Sequence, residues 1–306
     1  MSFLSLLAAL LLEQMRPLRE DNPLYAAFAR YVALLERQLN AGQEHHGIVA
    51  WLLAVGPVAL VTLVVFYLLH SISPMLGWLW NLAVLYLTMG FRQFSHYFTE
   101  ILHALRAGDL ERAREYLGRW HGESTAELTP SEVARVSIEL ALVGSHRHVF
   151  GPIAWFIVLG PVGPVVYRTS AILAEKWGRR RDAEFGNFGM FSQKAFYWLD
   201  WLPARLTAAS FAVVGNFEDA IFCWRTQAGA WARGAHGIIL SAGGGALGVR
   251  LGDSLHQDGT VKFRPELGIG DEAHLDYMQS GVGLIWRALV LWMFFIFVVT
   301  VAHSLG

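Results

Sequence analysis

Long stretches of this sequence carry no charged residue, and their lengths set the first expectation. Residues 48–69 (IVAWLLAVGPVALVTLVVFYLL) are uncharged throughout, and a helix needs roughly 20 such residues to cross about 30 Å of hydrocarbon. Similar runs predict spans over 75–91, 149–168 and 284–303, with 48–70 as the first. The third is interrupted by Pro152, Pro161 and Pro164. A fifth segment, 196–217, holds Asp200 and Arg205, so it suits the inside of a bundle better than a lone span. Continuous apolar runs of this length are rare in soluble folds. The expectation is an all-α, polytopic membrane bundle of about five transmembrane helices, one membrane domain over 1–306.

Polar regions at 13–47, 92–148 and 218–283 separate the spans and read as helical. Residues 106–117 keep helical periodicity, with Glu111 and Glu115 among four-residue charge neighbours. Thr129-Pro130-Ser131-Glu132 spells a helix start: Thr129 as N-cap, Pro130 at the first position and Glu132 in the capping-box place. The apolar stretch 3–12 resembles a signal core but lacks a basic leader and a small-residue cleavage site. It reads as a retained segment, lying in the bilayer or packed on the bundle.

Composition agrees. Apolar residues make up 54% of the 306 and charged residues 16%, against about 25% charged in soluble domains; mean hydropathy is +0.38. A single cysteine, Cys223, excludes a disulfide scaffold, and a net charge of −1 gives no field for nucleic acid. The three large polar regions hold sixteen Lys and Arg against five in the connector 174–195. Basic loops stay inside, which places the polar regions in the cytoplasm of a bacterial inner membrane, although the cluster Arg179-Arg180-Arg181 pulls the other way.

Polar residues at membrane depth are the candidates for chemistry, because burying a charge there is costly unless it is paired or wet. Asp200 and Arg205 could pair, and Pro203 between them could break the helix and free backbone carbonyls; a structural ion pair flanked by Trp198 and Trp201 is the alternative. Arg135, Glu139 and Arg168 flank the third span. His146 and His148 do not share a helix face, and no metal site is assigned. The glycine-rich stretch 241–252 lacks the lysine and the Ser/Thr of a phosphate-cradling loop.

Four strings, in order from about residue 100 onward, resemble the CobD/CbiB membrane family of cobalamin biosynthesis. They are ALRAGDLERAR at 104–114; Ala134 to Glu139 with GPIAWF at 151–156 and GPVGPVVYR at 160–168; Phe185-Gly186 leading to WLDWLPARLTA at 198–208; and GALGVRLG at 245–252 with Arg264-Pro265-Glu266-Leu267-Gly268. The third string and Gly215-Asn216-Phe217 also resemble AmpE-type proteins. The family's Gly-Asp-Pro and His-Pro-Val signature is replaced by Glu13-Gln14-Met15-Arg16-Pro17-Leu18, and its acidic stretch after Glu139 by Leu142 to Arg147.

The resemblance implies a synthase that joins aminopropanol, or its phosphate, to adenosylcobyric acid through an amide, with ATP and Mg²⁺ implied. It implies Glu139, Asp200 and Arg205 as catalytic, and Arg135, Arg168, Arg250 and Asn216 as substrate-binding. Arg205 and Arg250 would meet phosphate or corrin carboxamides, since Arg carries forked donors. Expected partners are the bilayer and a corrinoid substrate, together with further copies or other membrane proteins, and no nucleic acid. A non-catalytic AmpE-like sensor or scaffold and a corrinoid-handling transporter are the competing readings.

Overall fold

A computed structural model describes residues 2–16, 22–180, 182, 184–231 and 234–305. Pro17, Leu18 and Arg181, invoked above, lie outside the described residues. In chain order the helices are α1 (Ser2–Met15), α2 (Pro23–Leu39), α3 (Glu44–Ile72), α4 (Pro74–Thr88), α5 (Phe91–Arg106), α6 (Leu110–His121), α7 (Pro130–Ser145), α8 (Gly151–Leu159), α9 (Val162–Lys176), α10 (Met190–Val214), α11 (Phe217–Gln227), α12 (Gly234–Leu247) and α13 (Leu275–Leu305). One π-helical turn, His146–Phe150, joins α7 to α8. Four short strands lie between α12 and α13: β1 (Arg250–Leu251), β2 (Leu255–Gln257), β3 (Thr260–Lys262) and β4 (Leu267–Gly268). The polar region 218–283 is therefore only partly helical.

The chain folds as two compact units, one of residues 1–90 with 151–203 and one of 91–150 with 204–306. In the first, Val32, Leu35, Ala54, Leu173, Trp177 and Phe188 form a core between α2, α3, the end of α9 and the turn before α10. α3 approaches the backbone there so closely that a Cβ on Gly47 would sit 1.9 Å from the Phe188 carbonyl oxygen. The apolar stretch 3–12 becomes α1 and packs on α4, burying Leu6 and Ala9 and exposing Leu4 and Leu11.

In the second unit Val133, Ile138 and Leu142 of α7 pack among buried residues of the α5, α12 and α13 helices that surround it. The glycine-rich stretch is mainly helix α12 rather than a loop. Its glycines let neighbours come close: a Cβ on Gly245 would lie 2.5 Å from the Asp219 carbonyl oxygen of α11, and one on Gly243 would lie 2.7 Å from Leu142. β1 pairs antiparallel with β4, and β2 with β3. The Gln227 side chain donates to the Gly268 carbonyl at 3.0 Å and accepts from the Gly268 N–H at 2.7 Å, as a neighbouring strand would.

Among the described residues three helical stretches are long and apolar enough to cross a membrane: Glu44–Ile72, Pro130–Leu159 and Leu275–Ala302. Of the five expected spans, 48–70 falls within the first and 284–303 overlaps the last except at its final residue. Over 149–168 the structure has two helices. Gly160, at φ +60°, ends α8, and α9 starts at Val162, so α8 extends α7 instead. α4 has 15 residues, about 22 Å of helix, short of the hydrocarbon thickness. Pro203, which could break the helix, does not: α10 runs through it for 25 residues. A mid-helix proline removes a single backbone hydrogen bond, which a packed helix can tolerate with a kink.

Candidate functional site

The second unit holds the densest polar arrangement among the described residues. It starts at Thr129, whose hydroxyl accepts from the Glu132 N–H at 3.3 Å while Glu132 accepts from the Thr129 N–H at 2.7 Å. This reciprocal cap fixes the first turn of α7. Glu132, Arg135 and Glu139 then follow at spacings of three and four, which puts them on one face. All three are buried.

Each of them grips the segment 252–264. The Glu139 carboxylate accepts from the Gly252 N–H at 2.7 Å and from both terminal nitrogens of Arg264, at 2.7 and 3.1 Å. Arg264 also donates to the Gly252 and Asp253 carbonyls at 2.7 and 3.0 Å and lies 5.6 Å over the Trp231 ring. Arg135 donates to Asp253 Oδ2 at 3.1 Å and to the Ser254 carbonyl at 2.6 Å. Glu132 Oε1 accepts from the His256 N–H at 3.1 Å and lies 2.9 Å from His256 Nδ1. The turn they hold is strained. Asp253 has φ +60°, unusual for a residue with a side chain, and Gly252 has φ +72° with no room for a Cβ beside Pro265.

Arg250 sits on β1 of the same strap and is half exposed. Its guanidinium lies 3.9 Å from Glu266 and 3.9 Å from Glu272, both exposed. Contacts that long in water are weak, so this forked donor set remains available to an anion. A few residues away, Glu123 takes hydrogen bonds from Lys262 and Gln257. Burial raises the Glu123 pKa, but these bonds outweigh it and hold the carboxyl below its ordinary value. Burial pushes the neighbouring His121 down.

The remaining expected residues are placed elsewhere. Asn216 is the N-cap of α11: its side chain accepts from the Asp219 N–H at 3.3 Å, and its own N–H donates to the Ala246 carbonyl at 3.0 Å. Its side chain thus has a structural use. Asp200 and Arg168 belong to the first unit. There the buried Asp200 accepts from the Tyr167 hydroxyl at 2.7 Å, and the Trp155 indole donates to the Leu199 carbonyl next to it at 3.0 Å. Arg168 lies 5.9 Å over the Tyr25 ring. Arg205, half-buried, stands on the same continuous helix as Asp200 but five residues on, about 140° round the axis. The structure therefore brings Arg135 and Glu139 of α7 against the strap that continues from Arg250, and gives Asn216 a capping role on α11, while Asp200 and Arg168 belong to the other unit.

Sequence reasoning passed over Arg264, Asp253 and His256 as site members. One signal was available: three charges at i, i+3 and i+7 in an otherwise apolar helix must find partners when buried. Among the described residues no three His, Cys, Asp or Glu side chains converge as a metal cage.

A model of the CobD/CbiB protein family matches residues 6–285. Cobalamin biosynthesis protein CobD of Stutzerimonas stutzeri is 36% identical over 297 residues, covering 95% of both chains. The protein of the same name from Chromobacterium violaceum is 36% identical over 219 residues, 72% of this chain and 70% of that one. That of Streptococcus sanguinis is 25% identical over 250 residues, 79% and 78%. No solved structure matches. With its apolar helices this is a helical protein of membrane type, and the chain belongs to the CobD/CbiB family of cobalamin biosynthesis.

Proposed function

We propose that this chain joins aminopropanol, free or as its phosphate, to the carboxyl group of adenosylcobyric acid, using ATP. The observation that carries this reading is the strap pinned to α7, which presents Arg250 outward on a chain of this family. In the proposed reaction a carboxylate oxygen of the corrinoid attacks the terminal phosphorus of ATP and ADP leaves. The amine then attacks the acyl carbon, phosphate leaves, and the amide forms with release of a proton. Arg250 supplies fixed N–H donors where phosphate charge gathers, and donors set in advance stabilise such charge without reorganising. Arg205 is the second candidate for that role.

Glu139 and Arg135 act as positioning residues. Both oxygens of Glu139 are already taken by Gly252 and Arg264, so it shapes the strap and is poorly suited to hold Mg²⁺. A nucleotide-bound Mg²⁺ keeps several waters and needs one or two carboxylates; the exposed Glu266 and Glu272 beside Arg250 fit that need. We place the strap on the cytoplasmic side of a bacterial inner membrane, on the balance of basic residues. A cysteine introduced at Asp258 should then react with an impermeant reagent only in inverted vesicles.

The deciding experiment uses purified protein in nanodiscs with adenosylcobyric acid and ATP, singly and together. A ligand at 100 times its Kd adds roughly 2.7 kcal/mol to the folded state. The pair should raise the thermal midpoint, the rise should vanish in Arg250→Ala, and aminopropanol phosphate should give an amide product by mass. No shift in folded protein would overturn the ligase reading in favour of a scaffold.

A further inference from the structure

His256 on β2 is gripped twice by one carboxylate. Glu132 Oε1 accepts from the His256 backbone N–H at 3.1 Å and lies 2.9 Å from Nδ1 of the ring. The other oxygen of Glu132 accepts from the Thr129 N–H and hydroxyl, at 2.7 and 2.9 Å. The Glu132 side chain is 7% exposed and the His256 side chain 58%. A carboxylate only accepts, so Nδ1 carries the ring hydrogen. The lone pair then belongs to Nε2, which makes no hydrogen bond to the described residues.

A histidine that ligates a metal is held in this way: its second N–H goes to a carboxylate, which fixes the tautomer and aims the ring. One histidine cannot hold a bare ion, which takes about three or four protein ligands, and among the described residues no three His, Cys, Asp or Glu side chains converge. It can complete a metal whose other positions are already filled. The cobalt of a corrinoid is such a metal. The macrocycle fills its plane, the adenosyl group its upper face, and adenosylcobyric acid has no nucleotide base for the lower one. The surroundings of His256 suit a ring. β2 and β3 set His256 opposite Val261, and residues directly opposite share a face. Val261 is 60% exposed and Phe263, just past β3, is 82% exposed; apolar side chains left in water together mark an interaction site. Arg250 stands six residues back along the same strap, at most about 20 Å of chain, so one segment can serve both the cobalt and the reacting carboxyl at the ring's edge.

We propose that His256 Nε2 is the lower axial ligand of the substrate's cobalt, with Glu132 as the positioning residue that aims it. Nε2 lends its lone pair to cobalt, and the water in that position leaves. The inference rests on the corrinoid reading above and names how that substrate is gripped.

The test uses full-length protein, free of any histidine tag, in nanodiscs with adenosylcobyric acid in the dark and without ATP. Retained corrinoid is counted after gel filtration. Its visible spectrum is recorded, and so is the EPR spectrum of its cobalt(II) form. Retained corrinoid should show the longer-wavelength band of a nitrogen-ligated cobalt, and EPR lines split by an axial nitrogen nucleus. His256→Ala should lose both signatures, while His103→Ala, at an exposed histidine of α5, should keep them. Glu132→Gln, which preserves the cap of α7, should weaken retention about tenfold, the lower end for losing such a support. Retained corrinoid with the spectrum of the free molecule would overturn the proposal and leave the ligase reading standing. No retained corrinoid would overturn both. Signatures that persist in His256→Ala would give the cobalt to another group and overturn the proposal as well. Should His256→Ala fail to fold, His256→Gln takes its place with the same expectation.

Discussion

α3 and α7 both begin stretches long and apolar enough to cross a membrane, yet they use their surfaces in opposite ways. α3 carries no charge after Glu44, and it turns Leu53, Leu60, Val61, Val64 and Leu68 outward. α7 buries nearly everything it has, including Glu132, Arg135 and Glu139. Hydropathy therefore reports where a helix can meet lipid. Where the chemistry lies is reported by charges that an apolar helix keeps in spite of their cost. On α7 that cost is offset by donors and acceptors on a strap drawn from more than a hundred residues away.

Removing a partner from the strap should have the largest effect. Glu139→Ala leaves the part-buried Arg264 without its carboxylate; breaking a fully buried pair costs about 3–5 kcal/mol, and the lower end, about 3 kcal/mol, is expected here. Denaturant unfolding in detergent should register that loss, with faster proteolysis between residues 250 and 264. A loss under about 1 kcal/mol would mean that the strap is not anchored on α7. Thr129→Ala tests the helix start alone and should cost about 1 kcal/mol.

Acid should loosen the same region. Glu123 titrates below its unfolded value, so its contribution is present above about pH 4.5 and is lost as pH falls through the folded value. His121, held down by burial, has the same sign: protonation below about pH 6.5 favours the unfolded chain. The protection of the Thr260 and Val261 amides, taken relative to their intrinsic exchange rate at each pH, should therefore fall between pH 7 and pH 4. Protection that rose with acid would reverse the assigned pairing of Glu123 with Lys262. The smallest effect is expected on α3. Leu60→Ala, on its outward face, should change stability by no more than about 0.5 kcal/mol; a loss of 2 kcal/mol or more would show that α3 is packed on both sides.

What could be read in advance follows the range of each signal. α3, most of α13 and the cap at Thr129 are written in consecutive residues, and they stand as expected. Arg135 and Glu139 were legible as oddities, but their partners were not, because Glu139 and Arg264 are 125 residues apart in sequence. The glycines at 243–245 look like a loop by composition and form a helix because neighbouring helices press on them. The strands β1 to β4 are two or three residues each, too short for an alternating pattern. Pro203 misleads because a proline signals only the loss of one hydrogen bond, while the rest of α10 decides whether the helix continues.

The side chain of Gln227 has a consequence for how copies of this protein meet. A sheet as small as β1 with β4 presents an unpaired edge, and such edges invite strands from other molecules. By giving and receiving one hydrogen bond each with Gly268, the Gln227 amide acts as a third strand one rung long and closes that edge. Gln227 therefore leaves Gly268 no open backbone group on that side for a strand of another copy to pair with.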